Sequence, residues 1–242
     1  MENIFQIAEN NCEKIRNAYY TGRTIIMGVS PNNENVIQLY WTVGRSESSK
    51  NRHIIKSGER IETEPIYKDE KMLYPELLIY NIARQFENYH IVSNGSQTDV
   101  IYDYISRNKK FEDAMEVLLF EHDEPIYTPR ISGLIAVNKD NIEYKFGIIK
   151  TINQNPEFVL KHVYSYNKSI HGVGYCINTY DFGDNCNPFY GEPYFVKLFD
   201  DIDTLVDFYW NIIPEDKRVG LYAKYINIKN GTIEERIINE RN

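Results

Sequence analysis

No stretch of this chain reads as a linker: its 242 residues contain no Gly/Ser/Pro-rich segment, low-complexity run or internal repeat. One domain spanning 1–242 is the expected organisation, with residues 1–19 as a helical amino-terminal extension. Long hydrophobic runs are missing, and the amino end carries acidic residues, so neither a signal peptide nor a membrane span is expected. Cysteine is scarce. Cys12, Cys176 and Cys186 are odd in number and far apart, which reads as reduced thiols in a cytoplasmic protein. The five histidines are scattered and no Cys/His spacing fits zinc, so no metal site is expected. Positive charge is in deficit: 27 Lys+Arg against 35 Asp+Glu give a net charge of -8. That balance disfavours a nucleic-acid partner, although a phosphorylated small molecule needs only local arginines.

What is present is a globular composition, 42% hydrophobic and 26% charged. The 20 tyrosines fit a strand-rich α+β protein. Ile4, Phe5, Ala8, Cys12 and Ile15 recur at helical spacing over roughly the first 18 residues. Arg23–Val29 and Val36–Val43 read as a hairpin, as do Leu77–Phe86 with Tyr89–Ser93. Helical patterns cover Val100–Arg107 and Phe111–Phe120, the second with Phe111, Met115, Leu118 and Leu119 on one face. Ile131–Val137 and Tyr144–Ile152 flank an Asn138–Asn141 turn, and Val159–Tyr166 and Val173–Tyr180 read as strands. Ile202–Ile213 is a helix closed by Pro214, and Asn230-Gly231 joins Tyr222–Ile228 to Ile233–Ile238. Hairpins alternating with segregated helices predict antiparallel sheet rather than a doubly wound parallel one.

The segment from His90 to Asp99 carries the most information. An apolar strand end runs into Ser93-Asn94-Gly95-Ser96, a turn in which Asn and Gly tolerate positive φ. Thr98 or Asp99 is placed to cap the following helix, whose free amides favour an anion. Four further segments stand in order around it: Tyr20-Thr21-Gly22-Arg23; Arg45-Ser46 leading to Asn51-Arg52; Tyr80-Asn81 with Arg84; and Thr128-Pro129-Arg130-Ile131. Glu121-His122-Asp123-Glu124-Pro125 precedes the last, and Thr179-Tyr180 and Gly191-Glu192-Pro193 follow. Arginine recurs through these pieces, and its planar fork suits phosphate.

Together these motifs resemble the IMP cyclohydrolase family of archaea and its bacterial relatives. The resemblance runs from Tyr20 to about Thr179, with Gln97 standing where archaeal members carry histidine. It implies a four-layer αββα sandwich like that of N-terminal nucleophile hydrolases. The implied reaction is cyclodehydration of 5-formamidoimidazole-4-carboxamide ribonucleotide to IMP in purine biosynthesis, with no cofactor. Tyr80, Glu121 and Arg52 fall on the family's catalytic positions. Arg23, Arg45, Asn51, Arg84, Asn94, Gly95, Ser96 and Arg130 fall on substrate-binding ones. Alternate strand residues share a face, so Tyr80, Ile82 and Arg84 are expected to point together. The expected partner is a purine ribonucleotide, with a homo-oligomer left open. Two other functions stay in view: a noncatalytic nucleotide-binding protein, and an amidohydrolase with an amino-terminal nucleophile. For the latter Met1-Glu2-Asn3 offers no nucleophile, and Cys12 lies inside the expected helix.

Overall fold

The computed structural model describes residues 3–67, 77–138, 141–183 and 185–241. The chain begins with α1 (Ile4–Asn17), then β1 (Thr24–Val29), β2 (Asn35–Val43) and the short α2 (Glu47–Lys50). Next come β3 (His53–Ser57), β4 (Arg60–Glu64), β5 (Asn81–Phe86) and β6 (Tyr89–Ser93), followed by α3 (Gln97–Ser106) and α4 (Phe111–Val117). Strands β7 (Arg130–Val137), β8 (Ile142–Ile152), β9 (Asn155–Tyr166), β10 (Val173–Asn178) and β11 (Tyr194–Lys197) lead to α5 (Ile202–Ile212). Strands β12 (Arg218–Asn227) and β13 (Ile233–Asn239) complete the order.

Among the described residues the strands form two sheets, ordered β11-β10-β1-β2-β12-β13 and β3-β4-β5-β6-β7-β8-β9, and every neighbouring pair is antiparallel. Strand alternation divides the apolar residues among three cores. On β1 and β2, Ile25, Met27, Val36 and Tyr40 face the second sheet, while Ile26, Leu39 and Trp41 face away from it. The outward set is covered by α1 and α5 through Cys12, Ile15, Leu205 and Tyr209. On the far side, Ile91, Leu134 and Ile149 of the second sheet are covered by Ile101, Phe111 and Met115 of α3 and α4. The layers are therefore helix, sheet, sheet, helix. Burial on both faces explains why β1 and β2 read as nearly continuous apolar runs. Trp41 stacks on Tyr209 with centroids 5.6 Å apart, an added ~1 kcal/mol of helix-to-sheet adhesion.

Helix starts follow local chemistry. The Asn3 side chain accepts the Phe5 amide at 3.1 Å, and Asp201 accepts the Thr204 amide at 2.7 Å, each satisfying an orphan donor. Among the described residues no helix is long and apolar enough to cross a membrane. Lys139 and Asp140 of the Asn138–Asn141 turn, and Met1 and Glu2, lie outside the described residues.

Several expectations are corrected. The helix after the Asn-Gly turn starts at Gln97, with Ser96 at its N-cap and no side-chain cap. Thr98 instead bonds back to the Gly95 carbonyl at 3.2 Å, and Asp99 accepts from Arg84 and Asn81. Helix α4 ends at Val117, so Leu119 lies beyond it and is exposed. Tyr80, Ile82 and Arg84 do not share a face. Opposite β4 the register slips, with Ile61 facing Ala83 and Glu62 facing Asn81, so one residue of β5 is extra. Ile82 and Ala83 both enter the inter-sheet core, and from there the parity is reversed. Arg84 consequently faces α3.

Candidate active site

At one end of the inter-sheet space lies a cavity of about 510 Å³, within the range of small-molecule sites. Arg23, Arg45, Arg52 and Glu121 line it. Gly22 makes the approach to Arg23: its φ is +72°, and a Cβ there would stand 2.7 Å from the Tyr180 ring. Only glycine meets both demands. Arg23 leaves this turn at the start of β1, and its Nη2 donates to Glu121 Oε1 at 3.2 Å and Oε2 at 3.4 Å. Both groups are buried. Burial pushes the Glu121 carboxyl up, against the opposing pull of Arg23 and Arg130. Burial also opposes the charge on Arg23, but Glu121 and the phenols of Tyr80 and Tyr40 outweigh it and hold the guanidinium firmly protonated.

A closed loop presents Glu121. Its amide donates to the Thr128 carbonyl at 3.0 Å, and Asp123 accepts the Thr128 amide at 2.6 Å. Asp123 also accepts the Thr128 hydroxyl, which lies 2.9 Å from the Tyr180 hydroxyl. Beside this loop the Arg45 guanidinium sits 4.7 Å from the centroid of the Tyr20 ring and donates to Cys186 Sγ at 2.6 Å. Ser46, Ser48 and Ser49 continue the same wall. Arg52 is buried and donates to Thr42 Oγ1 at 3.0 Å. Among the described residues its Nε and Nη1, both buried on this side of the cavity wall, have no hydrogen-bond partner, which leaves their N–H donors unspent.

Behind Glu121 the Asn-Gly turn is locked by amides. Asn94 Nδ2 donates to the Pro129 carbonyl at 2.9 Å, and Asn94 Oδ1 accepts the Ile131 amide at 2.9 Å. Gln97 Nε2 donates to Asn94 Oδ1 at 2.8 Å, and Gln97 Oε1 accepts from Arg130 Nη1. The residue standing in place of histidine is thus a fully buried clamp. Arg130 also donates to Ser96 Oγ at 3.2 Å, and burial lowers its pKa. A Cβ on Gly95 would lie 3.5 Å from Glu121 Oε1, which places this turn directly against the carboxylate.

The fold thus brings together Arg23, Arg45, Arg52 and Glu121, with Asn94, Gly95 and Arg130 packed behind the acid. Tyr80 is not one of the residues lining the cavity; it is 5% exposed in the inter-sheet core, with its hydroxyl 2.9 Å from that of Tyr40. Two candidates stand elsewhere. Arg84 Nη1 pairs with Asp99 at 2.8 Å and its guanidinium lies over Tyr102 on the helix-covered face. Asn51 is tied to the backbone of Tyr67 by two bonds of 2.8 Å. Tyr20, Thr128 and Tyr180 stood inside the recognised motifs without being singled out, and Tyr40 and Thr42 carried no signal at all. Among the described residues no three His, Cys, Asp or Glu side chains gather as a metal-ligand set.

The class defined by this arrangement is an α+β protein of two stacked antiparallel sheets, with an arginine-rich pocket built around one buried acid. Residues 20–231 match the model of the IMP cyclohydrolase-like protein family, and the chain belongs to that family. It is 29% identical over 121 residues to an IMP cyclohydrolase of Methanothrix thermoacetophila. That match covers 48% of this chain and 58% of the relative.

Proposed function

We propose that this protein is an IMP cyclohydrolase, closing 5-formamidoimidazole-4-carboxamide ribonucleotide to IMP with loss of water. The observation that carries the reading is the buried Arg23–Glu121 pair on the wall of a cavity to which Arg45 and Arg52 also contribute. Family membership and the two-sheet architecture support it, and the layering agrees with a resemblance to N-terminal nucleophile hydrolases. Hydrolysis by an amino-terminal thiol is not favoured. Cys12 lies in α1 on the outer side of the first sheet, buried among Ile15 and Tyr209, and burial pushes its thiol up.

Both reacting groups belong to one molecule, so holding the formamide against the carboxamide supplies much of the acceleration. In this reading Glu121 takes a proton from the carboxamide nitrogen as it attacks the formyl carbon. Tyr80 gives its proton to the formyl oxygen, and the free N–H groups of Arg52 stabilise the charge developing there. In the second half the carbinolamine hydroxyl leaves as water with the proton from Glu121. The Tyr80 phenolate then takes the remaining proton from the formamido nitrogen, so both groups return to their starting forms. Arg45, stacked on Tyr20 beside three serines, is the arginine best placed for the 5′-phosphate.

The test is turnover against product binding. Tyr80→Phe and Arg52→Ala should each slow IMP formation by about 10²–10⁴-fold while changing IMP affinity far less, because their roles belong to the transition state. Turnover near wild type in both folded variants would remove the assignment.

A further inference from the structure

Strand β2 alternates, so Tyr40 and Thr42 project from one face, toward the second sheet. Each engages a different member of the proposed catalytic set. Thr42 accepts from Arg52 at 3.0 Å, and the Tyr40 hydroxyl lies 2.9 Å from that of Tyr80. Tyr40 is wholly buried, whereas Tyr80 retains a small exposed fraction and is the member of the pair assigned to the substrate in the proposed function. A phenol that releases its proton outward must leave its oxygen to be stabilised from behind. The Tyr40 hydroxyl stands there.

We propose that Tyr40 is a positioning residue for the ring closure: its hydroxyl donates to the Tyr80 oxygen, fixes the direction in which Tyr80 gives its proton, and stabilises the phenolate that results. Tyr40 keeps its own proton throughout. Burial foremost, and then the neighbouring Tyr80, hold the Tyr40 phenol well above its ordinary range, against the pull of Arg23 and Arg52. A hydrogen bond to a forming anion gains strength in a buried setting and acts on the transition state more than on the bound ground state. The inference rests on the proposed function for its kinetic consequence, but the hydrogen bond itself is readable without turnover.

The experiment is Tyr40→Phe, which removes one oxygen and keeps the ring. It should lower kcat for IMP formation about 10- to 100-fold while KM and IMP affinity stay within about threefold. A merely structural tyrosine would move KM and stability together and leave no such split. Independently, protein labelled with 13Cζ-tyrosine should show the Tyr80 signal, assigned from Tyr80→Phe, displaced in Tyr40→Phe at neutral pH. In Tyr80→Phe a second, solvent-protected tyrosine signal should move in return, which reads the contact even where Tyr40→Phe fails to fold. Unmoved carbon signals, or equal losses in kcat and affinity, would overturn the proposal. If wild-type protein forms no IMP but the reciprocal displacement is present, the hydrogen bond stands and the cyclohydrolase reading fails instead.

Discussion

At Glu121 a carboxyl group meets two opposed forces, burial pushing its proton affinity up and the guanidinium groups of Arg23 and Arg130 drawing it down. That balance suits a group that accepts and returns a proton within one turnover. Glu121→Gln keeps the shape and removes the basicity, so it should cost about 10²–10⁴ in rate. Under the proposed function Arg45 serves substrate binding instead. Arg45→Ala should weaken IMP about tenfold, ~1.4 kcal/mol, in isothermal titration, and an unchanged affinity would take the phosphate away from that residue. Arg23, Arg45, Arg52 and Glu121 were legible in the sequence because short ordered motifs contain them. Tyr40 and Thr42 were not, since they sit inside the apolar run Val36–Val43 with nothing to mark them. Their meaning arises only when two sheets stack and place β2 against Arg52 and Tyr80.

At the scale of elements, the turn Ser93-Asn94-Gly95-Ser96 is held by the amides of Asn94 and Gln97, and a methyl group on Gly95 would have to displace the hydrogen-bonded ends of Gln97 and Arg130. A Cβ on Gly95 would stand 2.7 Å from Gln97 Oε1 and 2.8 Å from Arg130 Nη1. Gly95→Ala should therefore cost about 1–3 kcal/mol of stability through overpacking, read as a lowered urea midpoint. A midpoint equal to that of wild type would show that the clamp yields freely. The turn is visible in the sequence, but the cap is not: Asp99 holds Arg84 and Asn81 rather than capping α3. The reversal of parity in β5 was invisible, because the extra residue is defined by the partner strand β4 and not by any residue type in Asn81–Phe86. Arg84 was assigned to the wrong face for that reason alone. Most other elements differ from expectation only at their ends, where burial of neighbouring apolar residues set the pattern more firmly than the caps did.

Across the whole molecule, the space between the sheets holds polar groups well beyond the candidate site. His90 is buried there, its Nδ1 without a hydrogen-bond partner among the described residues, and burial together with Lys224 lowers its pKa to about 3. The folded protein keeps His90 neutral down to that pH, whereas the unfolded chain protonates it near pH 6.5. Unfolding thus takes up a proton between the two values, and stability falls as the pH drops from 6.5 toward 3. Between pH 6.5 and 5 the loss should reach ~2 kcal/mol, and His90→Gln should remove most of that slope in urea titrations at the two pH values. An unaltered slope would place the acid sensitivity elsewhere. Stacked antiparallel sheets with segregated helices could be anticipated from hairpin and helix periodicities, but the pairing of β1 with β10 and of β2 with β12 joins residues far apart in the chain, which no local pattern records.

The central claim is that this pocket closes a purine ring, and one assay meets it directly. Purified protein incubated with 5-formamidoimidazole-4-carboxamide ribonucleotide, followed by ultraviolet absorbance, should form IMP. The Glu121→Gln protein should bind IMP with similar affinity and form it about 10²–10⁴ times more slowly. A folded wild-type protein that binds IMP and never produces it would contradict the account and mark the pocket as a nucleotide-binding site without turnover.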